Sequence, residues 1–133
     1  MVEKSLVFIK PDGVQRKLVG RIVARFEDKG FNIEQLRLLT MTSDLVDSHY
    51  VEHVEKPFFP DLKKYIMSGP IVVMVLEGEG VITNVRKMVG ATNPVDAEQG
   101  TIRADYALTT SFNIIHASDS TDSAEREINN FFG

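Results

Sequence analysis

Six consecutive residues, Ile71-Val-Val-Met-Val-Leu76, carry no polar side chain. The run is the length of a strand and far too short to span a membrane. Side chains of a strand alternate between two faces, so an unbroken apolar run needs cover on both. A chain holding such a strand must set it near the middle of a sheet and lay other elements over it. With 133 residues, 43% of them hydrophobic, there is material for a core and a length suited to one domain, 1–133.

The remaining elements follow from local patterns. Ser5-Leu-Val-Phe-Ile9 reads as a buried strand, stopped by a turn at Lys10-Pro-Asp-Gly13. Val19, Ile22, Val23 and Phe26 fall on one helical face, and Gly30 suits that helix's C-terminal end. Asn32 to Thr40 reads as a second strand and Ser43 to Tyr50 as a capped helix. Lys56-Pro-Phe-Phe-Pro60 interrupts, and a short helix through Leu62, Tyr65 and Ile66 follows. The apolar run extends as a strand over 70–77, and 81–89 reads as a helix. Residues 90–103 hold Pro94 and two glycines and read as a loop, and Phe112 to Ile115 as a last short strand. A terminal helix starts at Thr121 or Asp122, where Asp122-Ser-Ala-Glu125 has capping-box spacing. Strands alternating with helices in so short a chain predict an α+β sandwich. The best fit is a ferredoxin-like, four-stranded antiparallel sheet with a βαββαβ core and additional helices.

Composition removes whole classes of function. There is no cysteine, hence no disulfide framework and no thiolate chemistry. A net charge of −4 argues against broad binding to nucleic acid or to an anionic membrane. The N-terminus lacks the apolar stretch of a signal peptide, so a soluble, cytoplasmic protein is expected.

The usual phosphate-binding glycine loops are missing. There is no G-x-x-x-x-G-K-[ST], and Gly78-Glu-Gly80 has Thr83 where a dinucleotide fingerprint needs its third glycine. Side chains must therefore hold any nucleotide. His49 and His53 have zinc-compatible spacing, but without an H-E-x-x-H order or a third ligand they read as helix-surface residues. His116 lies at the end of an apolar strand, and local sequence leaves two readings open. It is a satisfied, half-buried histidine, or a reactive group fixed where a rigid element meets a loop. Lys10, Arg86, Arg103 and Glu127, taken singly, read as surface charges, and Phe58-Phe59 as core.

Taken together, these residues match a known pattern. The chain resembles the nucleoside diphosphate kinases along nearly its whole length. The matching blocks are Ile9-Lys-Pro-Asp-Gly-Val-Gln-Arg16, Lys56-Pro-Phe-Phe-Pro60, Thr92-Asn-Pro94, Gly100-Thr-Ile-Arg103 and Asn113-Ile-Ile-His-Ala-Ser-Asp119. The resemblance implies ping-pong transfer of the γ-phosphoryl group from a nucleoside triphosphate, mainly ATP, to nucleoside diphosphates through a phosphohistidine on His116. Glu127 would hold one ring nitrogen, and Ser118 would hold Glu127. Lys10, Arg86, Thr92 and Arg103 would surround the phosphates, and Tyr50 would lie near the group in flight. Lys10 and Asn113 would meet the sugar, and Phe58 would stack on the base with little discrimination. Mg²⁺ would ride on the nucleotide phosphates, with Asp119 touching one of its waters and no protein-side metal site. Neither nucleic acid nor a membrane is expected as a partner.

Three positions depart from the pattern. Thr110 stands where the family often has valine opposite the stacking Phe, and Ala117 where glycine often follows the histidine. The chain also stops at Gly133, short of a C-terminal segment that often enters subunit contacts. A homo-oligomer is expected, with a hexamer favoured over a tetramer. The competing reading is a catalytically silent nucleotide-binding or regulatory module that kept only the fold.

Overall fold

A computed structural model describes residues 2–133; Met1, part of the expected 1–133 domain, lies outside the described residues. The chain runs β1 (Val2–Ile9), α1 (Pro11–Gln15), α2 (Val19–Lys29), β2 (Asn32–Leu39), α3 (Ser43–His49), α4 (Phe59–Ile66), β3 (Ile71–Glu79) and α5 (Val81–Val89). It continues with α6 (Ile102–Tyr106), β4 (Ile115–Ala117) and α7 (Thr121–Phe132), and single 3₁₀ turns form at Val51–His53 and Pro94–Asp96. All strand pairs are antiparallel, in the order β2-β3-β1-β4. This is the expected ferredoxin-like sheet.

The apolar run sits on a central strand, and its alternation splits the core in two. Val72, Met74 and Leu76 join Val7 and Ile9 against Ile22 and Phe26 of α2 and Val81 and Val85 of α5. Ile71 and Val73 join Leu6 and Phe8 against Val46 of α3, Phe59 and Ile66 of α4, and Phe131 of α7. Both sheet faces are covered, which is why β1 and β3 tolerate so few polar residues. Gly30 ends α2 in the left-handed conformation at φ 103°, as its place in the sequence predicts.

The differences from the sequence reading are local. Lys10-Pro-Asp-Gly13 is not a bare turn: Pro11 opens the short helix α1, its fixed φ suiting a first helical position. The expected loop 90–103 ends in α6, which Thr101 caps by accepting from the Ala104 N–H. The terminal helix begins at Thr121, but its cap is Ser120, accepting from the Ser123 N–H. The last strand is Ile115–Ala117, shifted past the expected 112–115.

That shift has a cause. The Ile115 N–H donates to the Asn113 carbonyl at 2.8 Å, and Ile114 between them has φ 76°. This is a tight γ-turn with a β-branched residue in the left-handed region, a strained combination costing on the order of 1–3 kcal/mol. Two contacts hold it. The Lys10 N–H donates to the Ile114 carbonyl at 2.7 Å. The buried Arg103 guanidinium donates to the carbonyls of Ile115 at 2.7 Å, Gly90 at 3.0 Å and Asn113 at 3.4 Å. Gly90 turns its carbonyl toward Arg103 at φ 92°, and a Cβ there would come within 2.5 Å of the Thr101 hydroxyl oxygen.

Arg103→Lys keeps a charge but cannot span three carbonyls from one planar fork. It should destabilise the fold by about 2–4 kcal/mol in urea unfolding, the cost of charged hydrogen bonds lost to buried acceptors. An unchanged midpoint would show that the fork does not hold β4.

Candidate active site

β4 is three residues long, and its middle residue is His116. Its neighbours Ile115 and Ala117 point into the core, so the alternation of the strand turns His116 to the opposite face. There the imidazole lies against Phe8, its cross-strand partner, with ring centroids 4.9 Å apart and planes 25° apart. His116 is thus inside the strand rather than at its end, and its ring cannot swing freely.

One ring nitrogen is taken. His116 Nε2 lies 3.0 Å from Glu127 Oε1. Ser118 Oγ is 2.7 Å from the same oxygen, with the Leu6 carbonyl as a longer alternative at 3.2 Å, and it accepts from the Leu6 N–H at 3.1 Å. The charge-assisted bond to the carboxylate is the stronger choice. A carboxylate oxygen only accepts, so the ring proton belongs on Nε2 and the Nδ1 lone pair is left free. Burial lowers the His116 pKa, against the opposing pull of Glu127, so the ring is neutral at pH 7. Glu127 is only 4% exposed, so it is not the solvated carboxylate its place on a terminal helix suggested.

Around this pair opens a cleft of about 280 Å³. Lys10, Tyr50, Arg86, Thr92, Arg103 and Asn113 all line it together with His116 and Glu127. Lys10 directly follows β1, and its Nζ donates to Asn113 Oδ1 at 2.7 Å. Asn113 Nδ2 donates in turn to the Thr92 carbonyl at 3.1 Å. Burial, with Arg103 nearby, pushes the Lys10 ammonium down to about 8. Arg103 is pushed down to about 10 by burial and by Arg86. Of its five N–H donors three are spent on carbonyls, which leaves two for an anion. Arg103 is therefore no surface charge but a buried fork with one side open. Asp119 also lines the cleft, and its pKa is lowered chiefly by a hydrogen bond from Ser123.

Two further expected residues stand apart from the lining. Ser118 is fully buried behind Glu127. Phe58 is 50% exposed and is not core, unlike Phe59 beside it. Its ring lies 5.6 Å from that of His53, which lines the cleft, so Phe58 flanks the opening. Tyr50 offers a buried hydroxyl with no hydrogen-bond partner among the described residues, and burial raises its pKa, which keeps it neutral.

The sequence reading missed one residue at the centre. His49 was expected on a helix surface, yet it is 5% exposed and its ring stands edge-on to His116 at 4.6 Å. Burial, and then the neighbouring His116 imidazole, drive its pKa down to about 2. The signal was present: Val46 is buried on α3, and a residue three further on shares that face. Arg126, Glu52 and Ser123 also line the cleft and were not singled out.

A neutral, oriented imidazole facing three cations and an unpaired hydroxyl is equipped to accept a phosphoryl group. Known proteins point the same way. The family model described as nucleoside diphosphate kinase matches residues 3–133. The chain is 57% identical to a nucleoside diphosphate kinase of Methanobrevibacter smithii over 132 residues, 99% of this chain and 88% of that protein. It is 59% identical to one from Methanothermobacter thermautotrophicus over 131 residues, 98% and 87% of the two chains. A crystal structure of the Aquifex aeolicus nucleoside diphosphate kinase superposes with a TM-score of 0.96 at 38% identity, over all of this chain and 96% of that one. A side-chain site of this form, in a sheet of this topology and a sequence this similar, places the chain in the nucleoside diphosphate kinase family.

Proposed function

We propose that His116 carries the phosphoryl group between donor and acceptor nucleotides, with the surrounding residues dividing the remaining work. The protein is a nucleoside diphosphate kinase, moving the γ-phosphoryl group of a nucleoside triphosphate to a nucleoside diphosphate. One observation supports the residue assignment above the others: the chain Ser118–Glu127–His116 ends at a free imidazole nitrogen inside a cation-lined cleft. In the first half-reaction Nδ1 attacks the γ-phosphorus in line, the N–P bond forms, the P–O bond to the β-phosphate breaks, and the diphosphate leaves. In the second half-reaction a diphosphate oxygen attacks the phosphohistidine and restores the ring. A silent binding module would need neither the oriented ring nor its buried carboxylate.

Each group meets charge where it develops. Lys10, Arg86 and the two open donors of Arg103 face the equatorial oxygens of a loose transition state. Thr92 adds a hydroxyl, and the unpartnered Tyr50 hydroxyl is ready to follow the group in flight. Glu127 stabilises the imidazolium character of the phosphorylated ring, and Ser118 keeps the carboxylate aimed. Lys10 and Asn113, already bonded to each other, are placed to meet sugar hydroxyls, and Phe58 offers a face to any base.

The family is nucleotide-dependent and generally needs a divalent cation. We assign Mg²⁺ to that role. The cleft suits an ion that arrives on the phosphates, since Glu127 is engaged by His116 and Ser118 and only Glu52 and Asp119 remain as carboxylates among the lining residues. Mg²⁺ bound with the nucleotide would supply charge neutralisation at the phosphate oxygens, and Asp119 would hold one of its waters. No helix among the described residues is long and apolar enough to cross a membrane, and we place this single domain, residues 1–133, in the cytoplasm. We also infer a homo-oligomer, a hexamer ahead of a tetramer. The edge strand β2 supports subunit contact, because Leu36 and Leu38 stand 54% and 65% exposed on it.

Incubation with γ-labelled ATP and Mg²⁺ should leave acid-labile, base-stable label on the protein, and folded His116→Ala should carry none. Label of equal amount on that variant overturns the assignment. Lys10 acts as an ammonium, so phosphoenzyme formation at sub-saturating ATP should fall as pH rises through about 8, where the folded protein loses that proton. Lys10→Arg should move that alkaline limb upward; a limb that stays in place removes Lys10 from the role. Phe58→Ala should weaken nucleotide binding by about 1–3 kcal/mol, the range for one base–aromatic stack. Equal affinities by calorimetry would show that the base binds elsewhere.

A further inference from the structure

His49 has no part in the phosphoryl transfer just described, yet it is one of the most buried polar residues in the protein. Among the described residues its Nδ1 has no hydrogen-bond partner. Such an atom in so closed a place calls for an explanation. One ring nitrogen of His49, one of His116 and one carboxylate oxygen of Glu127 lie within 4.8 Å of one another. All three residues line the same cleft, so the cluster has an open path to solvent.

We infer that His49, His116 and Glu127 form a binding site for zinc, or a divalent transition metal of zinc type, and that its occupancy switches the enzyme off. Two imidazoles and one carboxylate make a three-ligand set that zinc takes readily, with a fourth position left for water or a phosphate oxygen. Magnesium prefers oxygen donors and is a poor match for two nitrogens. A tetrahedral zinc with Zn–N bonds of about 2.0–2.1 Å brings its ligand atoms to about 3.4 Å apart. Small side-chain rotations close the gap from 4.8 Å to that spacing.

The supporting shell is already built. Ser118 bonds the Glu127 carboxylate at 2.7 Å. Phe8 stacks on His116 at 4.9 Å and stands edge-on to His49 at 5.2 Å, and Phe131 lies 5.7 Å from His49. Hydrogen-bonded ligands inside an apolar shell are what fix metal ligands in place. The histidine pair that spacing alone suggested, His49 with His53, is not the pair the fold assembles: His53 is absent from the cluster.

Occupancy disables His116 by either route. A metal on the nitrogen facing Glu127 expels the bridging proton to solvent and removes the carboxylate's hold on the ring. A metal on the other nitrogen takes the lone pair that attacks phosphorus. Phosphorylation and metal binding are then mutually exclusive, and each weakens the other. This inhibitory consequence rests on His116 being the phosphoryl carrier; the binding itself does not.

Calorimetric titration of the nucleotide-free protein with Zn²⁺ should show one site per chain, and Co²⁺ in its place should give the intense visible absorption of tetrahedral cobalt. His49→Gln, of similar size, should weaken Zn²⁺ by at least about 100-fold, since loss of an outer-shell partner alone costs about 10–100-fold. His53→Ala should leave the affinity unchanged. Prior phosphorylation with ATP and Mg²⁺, followed by removal of nucleotide, should abolish binding. Parallel labelling in metal-free Mg²⁺ buffer separates the two claims. If label forms on His116 but Zn²⁺ binds no tighter to wild type than to His49→Gln, the metal site is wrong and the kinase assignment stands. If Zn²⁺ binds as described but no label forms, the binding site stands and its inhibitory role falls.

Discussion

One guanidinium decides where the imidazole of His116 can be. Arg103 gathers the carbonyls of Gly90, Asn113 and Ile115 onto a single planar fork. These carbonyls belong to the end of α5, to a γ-turn and to the first residue of β4. Without a common partner they would have no reason to converge. The fork makes a strained turn at Ile114 affordable, and that turn sets the phase of β4. Moving the strand by one residue would send His116 into the core and a methyl group into the cleft. The same fork keeps two donors spare, and Arg103 lines the cleft, so the residue that builds the strand also belongs to the site.

The electrostatics run against the overall charge of the molecule. The chain is net −4, yet its cleft gathers Lys10, Arg86, Arg103 and Arg126 around one half-buried imidazole. Burial first, and then neighbouring cations, lower the pKa of Lys10 and of Arg103. They are arranged for a guest that carries several negative charges, and the strain among them is relieved when it arrives. The neutral state of His116 belongs to the same arrangement: burial and two nearby cations disfavour a second proton, while Glu127 holds the first. An imidazole that stays uncharged beside cations suits the role proposed for it.

Much of this was legible in the letters. The run at 71–76 announced a central, doubly covered strand, and alternation with helices gave the sheet. The motif blocks held Lys10, Thr92, Arg103, Asn113, His116 and Asp119 of the cleft lining, and the resemblance added Tyr50, Arg86 and Glu127, while Glu52, Ser123 and Arg126 went unnoticed. What stayed hidden depends on contacts between distant parts of the chain. No local pattern reveals that Arg103 is buried, because its partners are backbone carbonyls up to 13 positions away. The shift of β4 came from the γ-turn, which needs a β-branched residue at positive φ, against all propensity. His49 was misplaced because a helix with few apolar residues gave a weak inward face, and a polar residue was assigned to solvent. Tertiary packing by Phe8 and Phe131 overrode that assignment.

The bond from the Leu6 N–H to Ser118 joins residues 112 positions apart, and Phe8 and His116 are cross-strand partners across a similar span. Contacts of such high sequence separation are slow to close and come late in folding. During synthesis the ribosome releases Leu6 and Phe8 long before His116 and Glu127 exist. An N-terminal fragment can pair β1 with β3 and fill much of its core while lacking both the imidazole of His116 and the carboxylate that orients it. The hydrogen-bonded pair His116 and Glu127 is thus completed only with the last fifth of translation.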